Sequence, residues 1–301
     1  MSWLALAALS AVFLGLYDVS KKSSLDDNAV LPVLFFCTLA SVVLLVPVAC
    51  VGWLRPDFAA SAHLALAPLG TRGHLLVVAK AAIVTLSWIF TYFALKHLPI
   101  SLASPIRASA PVFTVIGAVL LFAEIPTALQ TLGIALTLGS YYLFSLVGRE
   151  EGVEFTKNRW VWMLFAGTLV GAVSGLYDKH LLQVERLAPT SVQVFFAIYA
   201  AALQGFVVLV FWWPRRKGTT RFEFRRSIPL VALLLVLADN VYFRAVSEPD
   251  ALISVVSAIR RSNVVISFVV GGILLRERLH ARKVLALAGV LLGAVLLLDG
   301  G

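Results

Sequence analysis

Ten apolar runs of membrane-spanning length, separated by short polar connections, constrain this chain more than any other feature. They fall at Trp3–Val19, Ala29–Trp53, His74–Leu95, Ile100–Phe122 and Ile125–Val147, then at Trp160–Leu181, Pro189–Trp213, Ile228–Val246, Ala251–Leu275 and Val284–Leu298. About 20 apolar residues cross the hydrocarbon core once as a helix. A helix satisfies its own backbone groups there, which no open strand can do. The expected fold is all-α integral membrane, with ten transmembrane helices. Composition agrees: 60% of the residues are hydrophobic and 14% charged, against about 45–50% and 25% in soluble domains. The N-terminus lacks the basic region and A-x-A site of a cleaved signal, so it reads as the first span. Pro47 and Pro68 leave the 46–73 stretch ambiguous, with room for an interfacial helix, and Glu124 with Pro126 marks the turn between the fourth and fifth runs.

The runs divide into two five-helix halves, residues 1–148 and 160–301, joined by the charged linker 149–159. Gly15-Leu16-Tyr17-Asp18 recurs 160 positions on as Gly175-Leu176-Tyr177-Asp178, and Phe35-Phe36 meets Phe195-Phe196 at the same offset. The small-residue ladder Ala7, Ala11, Gly15 meets Gly167, Gly171, Gly175. Tyr92-Phe93 and Pro99 meet Tyr242-Phe243 and Pro249 at offset 150, while Ile106-Arg107 meets Ile259-Arg260 and Glu124 meets Glu277 at offset 153. Matched charges and a matched four-residue string are not the chance agreement of an apolar alphabet. Five helices per half is odd, so the second half must enter the membrane inverted. Many secondary transporters use inverted repeats for alternating access, with substrate near the midplane between the halves. Small residues spaced by four let helices approach closely in lipid.

The residues that end each half's fourth run and open its fifth carry a family resemblance. In the first half they read Ala110-Pro111-Val112-Phe113, then Leu120-Leu121-Phe122-Ala123-Glu124-Ile125-Pro126, then Gly133 and Gly139; in the second, Leu274-Leu275-Arg276-Glu277-Arg278-Leu279, then Gly289 and Gly293. With two five-helix halves, the chain resembles the EamA-like branch of the drug/metabolite transporter superfamily, where a proline-containing fourth helix and a Gly-Glu-Arg-Leu-like turn are frequent. It departs at Ala123 and Arg276, which stand where the glycine usually is, and in lacking the second-half proline. The resemblance implies a transporter that exports or exchanges small metabolites, with the first four helices of each half around a central cavity.

Ionisable residues within spanning segments cost roughly 2.5–3.5 kcal/mol each at a helix centre, and mark functional candidates. Here they are Lys80, Arg107, Asp239, Arg260 and Arg261. Each has a duller reading. Lys80 can snorkel to the interface, Arg107 can satisfy carbonyls freed near Pro105 and Pro111, Asp239 and Arg260 can form a structural pair, and Arg261 can point away from Arg260. Arginines matched between halves, against one embedded carboxylate, leave an excess of positive charge. A guanidinium fork suits a carboxylate or phosphate. The candidate substrate-binding set is therefore Arg260, Arg107, Asp239 and Lys80, with Arg260 on the anionic group and Asp239 holding it when the site is empty. Trp88, Tyr92, Asn240 and Tyr242, on the third run of each half, add stacking and hydrogen bonds; the alternative is that these aromatics are core or lipid-facing. Asp18 and Asp178 read as solvated interfacial charges, with Lys21, Lys22 and Lys179 in reach for gate contacts. Glu124 and Glu277 read as the openers of the fifth helices, where a carboxylate favours the positive N-terminus.

No GxSxG, HExxH, P-loop or His/Cys cluster occurs, and Cys37 and Cys50 are neither a metal spacing nor a disulfide framework. No enzyme activity, metal or cofactor is expected. The leading reading is a secondary or facilitative transporter of a small anionic or zwitterionic metabolite. The alternatives are a proton-coupled exporter of cationic or hydrophobic compounds using Asp239 and, further off, an integral-membrane enzyme on lipid-linked substrates. The net charge of +9 lies mostly between the apolar runs. It is read as topology signal and anionic-lipid contact rather than nucleic-acid binding. Expected surroundings are a bacterial inner membrane, with the chain a monomer or weak dimer. Lys and Arg concentrate after the odd-numbered runs, which puts both termini outside by the positive-inside rule, whereas the resemblance implies both inside. A cysteine at Thr219, labelled from one side only, decides between them.

Overall fold

The computed structural model describes residues 2–61, 64–98, 109–149 and 158–263, with isolated positions between 103 and 107 and between 265 and 296. Helices fill the described chain and no strand occurs in it. They are α1 (Trp3–Leu25), α2 (Val30–Leu54), α3 (Thr71–His97), α4 (Ala110–Phe122), α5 (Ala128–Arg149), α6 (Arg159–Lys179), α7 (Pro189–Val207), α8 (Ser227–Ser247) and α9 (Ile253–Arg261). With their terminal turns, α1, α2, α3, α6, α7 and α8 are each long and apolar enough to cross a membrane. The tenth run and Glu277 lie almost wholly outside the described residues. A short helix, Pro56–Ser61, occupies the ambiguous stretch after α2, and Pro47 sits inside α2 without ending it.

Helix interfaces come in pairs that the sequence repeat relates: α1 with α8 and α3 with α6, α2 with α8 and α3 with α7, α1 with α9 and α4 with α6. Each crosses from one half to the other, so neither half buries its inner faces alone. The outer faces stay apolar. Leu120 and Leu121 on α4 are 77% and 69% exposed, which lipid can solvate and water cannot without a large uncovered patch.

The turn between α4 and α5 corrects one expectation. Ala123 closes α4 in the left-handed region (φ 51°), its N–H bonded to the Ala118 and Val119 carbonyls. This reversal aims Glu124 away from α5. The buried carboxylate instead accepts hydrogen bonds from the Ile253 and Ser254 amides (2.8 and 3.1 Å) and the Ser254 hydroxyl (2.6 Å), and pairs with Lys179 Nζ at 2.6 Å. Glu124 thus caps α9 of the opposite half. The carboxylate does meet a positive helix N-terminus, but the helix it serves is distant in sequence.

Gly15 and Gly175 match in the repeat but not in their surroundings. A Cβ on Gly15 would stand 2.5 Å from Ile266 Cβ and 3.1 Å from the Asn263 carbonyl, whereas on Gly175 the nearest atom is the Tyr242 hydroxyl at 3.9 Å. Gly15→Ala must push α1 off the chain that follows α9, at a cost of about 1–3 kcal/mol. Gly175→Ala is expected to be neutral, or to gain up to about 1 kcal/mol of helix propensity. Thermal denaturation of the two variants in detergent separates these outcomes.

Candidate functional site

A cavity of about 180 Å³ lies between the halves, with walls from α1, α3, α4 and α6 to α9. That holds on the order of ten waters at about 10–15 Å³ each. Carboxylates and cations gather in two clusters around it.

The first cluster centres on Asp18 of α1, which is buried. One carboxylate oxygen pairs with Lys21 Nζ at 2.8 Å and Arg107 Nη1 at 2.9 Å; the other accepts from Asn263 Nδ2 at 2.8 Å. Lys21 also lies over the rings of Tyr17 and Tyr92 (4.3 and 5.4 Å), whose hydroxyls are 3.2 Å apart. The second cluster holds Asp178 of α6, paired with Lys80 of α3 and accepting from the Tyr242 hydroxyl at 3.1 Å. The Tyr242 ring lies 3.7 Å beneath the Arg260 guanidinium. Arg260 donates to Asp239 at 3.0 Å through Nη2 and to Ser10 Oγ at 3.0 Å through Nε. Each cluster therefore contains an aspartate from the first helix of a half, a tyrosine from the third and an arginine from the fourth, at the matched positions of the repeat.

The arginines also share a local geometry. Ile106-Arg107-Ala108-Ser109 and Ile259-Arg260-Arg261-Ser262 are matched at offset 153. In both, the serine amide and hydroxyl donate to the isoleucine carbonyl, at 3.2 and 2.7 Å in the first string and 3.0 and 2.7 Å in the second. In the second string this tight turn ends α9, with Ser262 as its C-cap, and in the first Ser109 stands at the start of α4. Breaks of this kind, tolerated where backbone lines a cavity, are a recurring way to build transporter sites.

Of the eight residues singled out in the sequence, Arg260, Arg107, Asp239, Lys80, Trp88 and Tyr242 line the cavity. Trp88 packs edge-on against Phe196, with centroids 5.9 Å apart. Tyr92 is buried behind the wall on Tyr17, and Asn240 turns away to donate to Gln193 Oε1 at 3.1 Å. Lys80 does not snorkel: it is 2% exposed and paired. Arg107 meets Asp18. Asp18 and Asp178 are not solvated interfacial charges but buried counter-ions. The signal for this lay in the matched Gly-Leu-Tyr-Asp strings, because an embedded arginine in each half needs a carboxylate and these recur with it. Lys21, which the sequence offers only for gate contacts, lines the cavity, and the wall hydroxyls of Ser87, Thr91, Thr168 and Ser257 carry no signal distinct from helix packing.

Residues 1–146 match the EamA-like transporter family, part of the drug/metabolite transporter superfamily. No curated protein matches the chain in sequence. A solved structure, titled only as the crystal structure of a protein, aligns with 98% of this chain and 94% of its own, at TM-score 0.67 and 16% identity. That likeness is one of fold. The apolar helices and the family match together make the chain a multi-pass membrane protein.

Proposed function

We propose that this chain is a secondary or facilitative transporter of a small anionic or zwitterionic metabolite, working by alternating access, a reading that the match of residues 1–146 to the EamA-like transporter family supports. One observation carries the substrate class. Among the described residues, Lys21, Lys80, Arg107, Arg260 and Arg261 line the cavity, against Asp178 and Asp239 on the wall and Asp18 behind it. Even without Arg261, four cations against three carboxylates among the described residues attract an anion and repel a lipophilic cation. Trp88 and Tyr242 supply apolar and aromatic wall for the body of the solute. Ten spans as two inverted repeats, in a bacterial inner membrane, belong to the same proposal; the paired interfaces support the repeat. Counterflow in proteoliposomes tests it. Preloaded small carboxylates or phosphates should exchange across the bilayer, while quaternary ammonium cations should not. Exchange confined to the cations would replace this reading with a proton-coupled exporter that uses Asp239.

A further inference from the structure

We propose that the cavity holds an oxyanion, carboxylate or phosphate, between Lys21 and Arg107, with Asp18 as the carboxylate it competes against. This deepens the transporter reading and rests on it. The sequence alone favoured Arg260 as the anion's partner, but charge is not evenly spread around the wall. In the second cluster Lys80 and Arg260 each have a carboxylate, and Asp178 and Asp239 both line the cavity. An anion arriving there meets as many negative charges as positive ones. In the first cluster Lys21 and Arg107 share one oxygen of one carboxylate. Both of its cations line the cavity, whereas Asp18 itself is not part of the wall.

The geometry suits the task. Two nitrogens bonded to one oxygen lie within about 6 Å of each other, a separation that two oxygens of a carboxylate or phosphate bridge. Asn263 donates to the other oxygen of Asp18, and the Tyr17 and Tyr92 rings hold Lys21, so the cations keep their places when an anion takes over part of their hydrogen bonding. Asp18 belongs to α1 and Asn263 follows α9, with Arg107 just ahead of α4. Occupancy at this point therefore acts on contacts between the two halves.

Thermal denaturation of the full-length protein in detergent, titrated with inorganic phosphate and separately with succinate, tests this assignment. Wild type should be stabilised in a saturable way by at least one probe. Which one responds distinguishes a phosphoryl from a carboxylate ligand. Lys21→Met should weaken that apparent affinity about tenfold or more, the usual loss for a buried charged hydrogen bond. Asp18→Asn removes the competitor while keeping shape, and should tighten it about tenfold, a gain that a damaged fold cannot produce. Arg72→Gln, at the exposed pair with Glu185, should match wild type. Weakened or unchanged binding in Asp18→Asn overturns the assignment. So does loss in Arg260→Gln with Lys21→Met at wild-type affinity. No response of wild type to either probe overturns it as well, while the broader transporter reading stands or falls separately on counterflow.

Discussion

Glu124→Ala is expected to destabilise the protein by about 3–5 kcal/mol, the loss that follows when one member of a buried ion pair is removed. Two debts fall due at once. Lys179 keeps its charge, but its short contact with Glu124 is gone, leaving the Ala251 carbonyl at 3.4 Å among its acceptors. The first amides of α9 lose their acceptor, where a lost N-terminal cap alone costs about 0.5–2 kcal/mol. Glu124→Gln should fall between Ala and wild type, because an amide oxygen still caps α9 but no longer neutralises Lys179. Adding Lys179→Met to Glu124→Gln should recover most of the remaining loss. Thermal denaturation of wild type, Glu124→Gln, Lys179→Met and the double variant in one detergent forms the cycle. An additive double variant would mean that the two side chains do not stabilise each other.

Removing the charge of Asp178 should be comparably damaging, and should stop transport as well. Asp178→Asn leaves Lys80 enclosed by the Phe196 and Phe243 rings, 4.9 and 5.0 Å away, with no carboxylate in ion-pair contact among the described residues. The expected loss is again about 3–5 kcal/mol. Lys80→Met should be milder, since Tyr242 still donates to Asp178. The double variant Lys80→Met/Asp178→Asn should return to within about 1–2 kcal/mol of wild type, because a buried pair replaced as a unit leaves no orphan charge. Transport should not return with it. The cavity then carries altered polarity beside Arg260 and Asp239, and counterflow in proteoliposomes should stay far below wild type. A double variant that transports normally would make this pair a structural strut.

The sequence went far on some elements and stopped short on others, for identifiable reasons. Helix positions were readable because lipid demands long apolar runs, so hydropathy reports span directly. The two-residue pair Arg260–Asp239 was readable because both are charged at mid-run and an embedded guanidinium needs a partner. Asp18 and Asp178 were misplaced because they sit near the ends of their runs, where hydropathy cannot tell a buried carboxylate from a wetted one. Their burial comes from neighbouring helices. Tyr92 and Asn240 share a helix face with cavity residues in any linear reading, yet small rotations send one to Tyr17 and the other to Gln193.

By itself the sequence determined that the chain is a many-helix membrane protein and that residue strings from its first part recur in its second. Those properties depend on residue type and spacing along one chain. Only the tertiary structure decided which charges meet. Glu124 caps a helix 129 positions away, and Asp18 joins Lys21 and Arg107 while Arg260 is taken by Asp239. Matched positions of the repeat thus end in unequal clusters, one with surplus cations and one balanced. The physical reason is that a buried charge is stabilised by whatever opposite charge lies within a few ångströms, and that distance is set by helix packing.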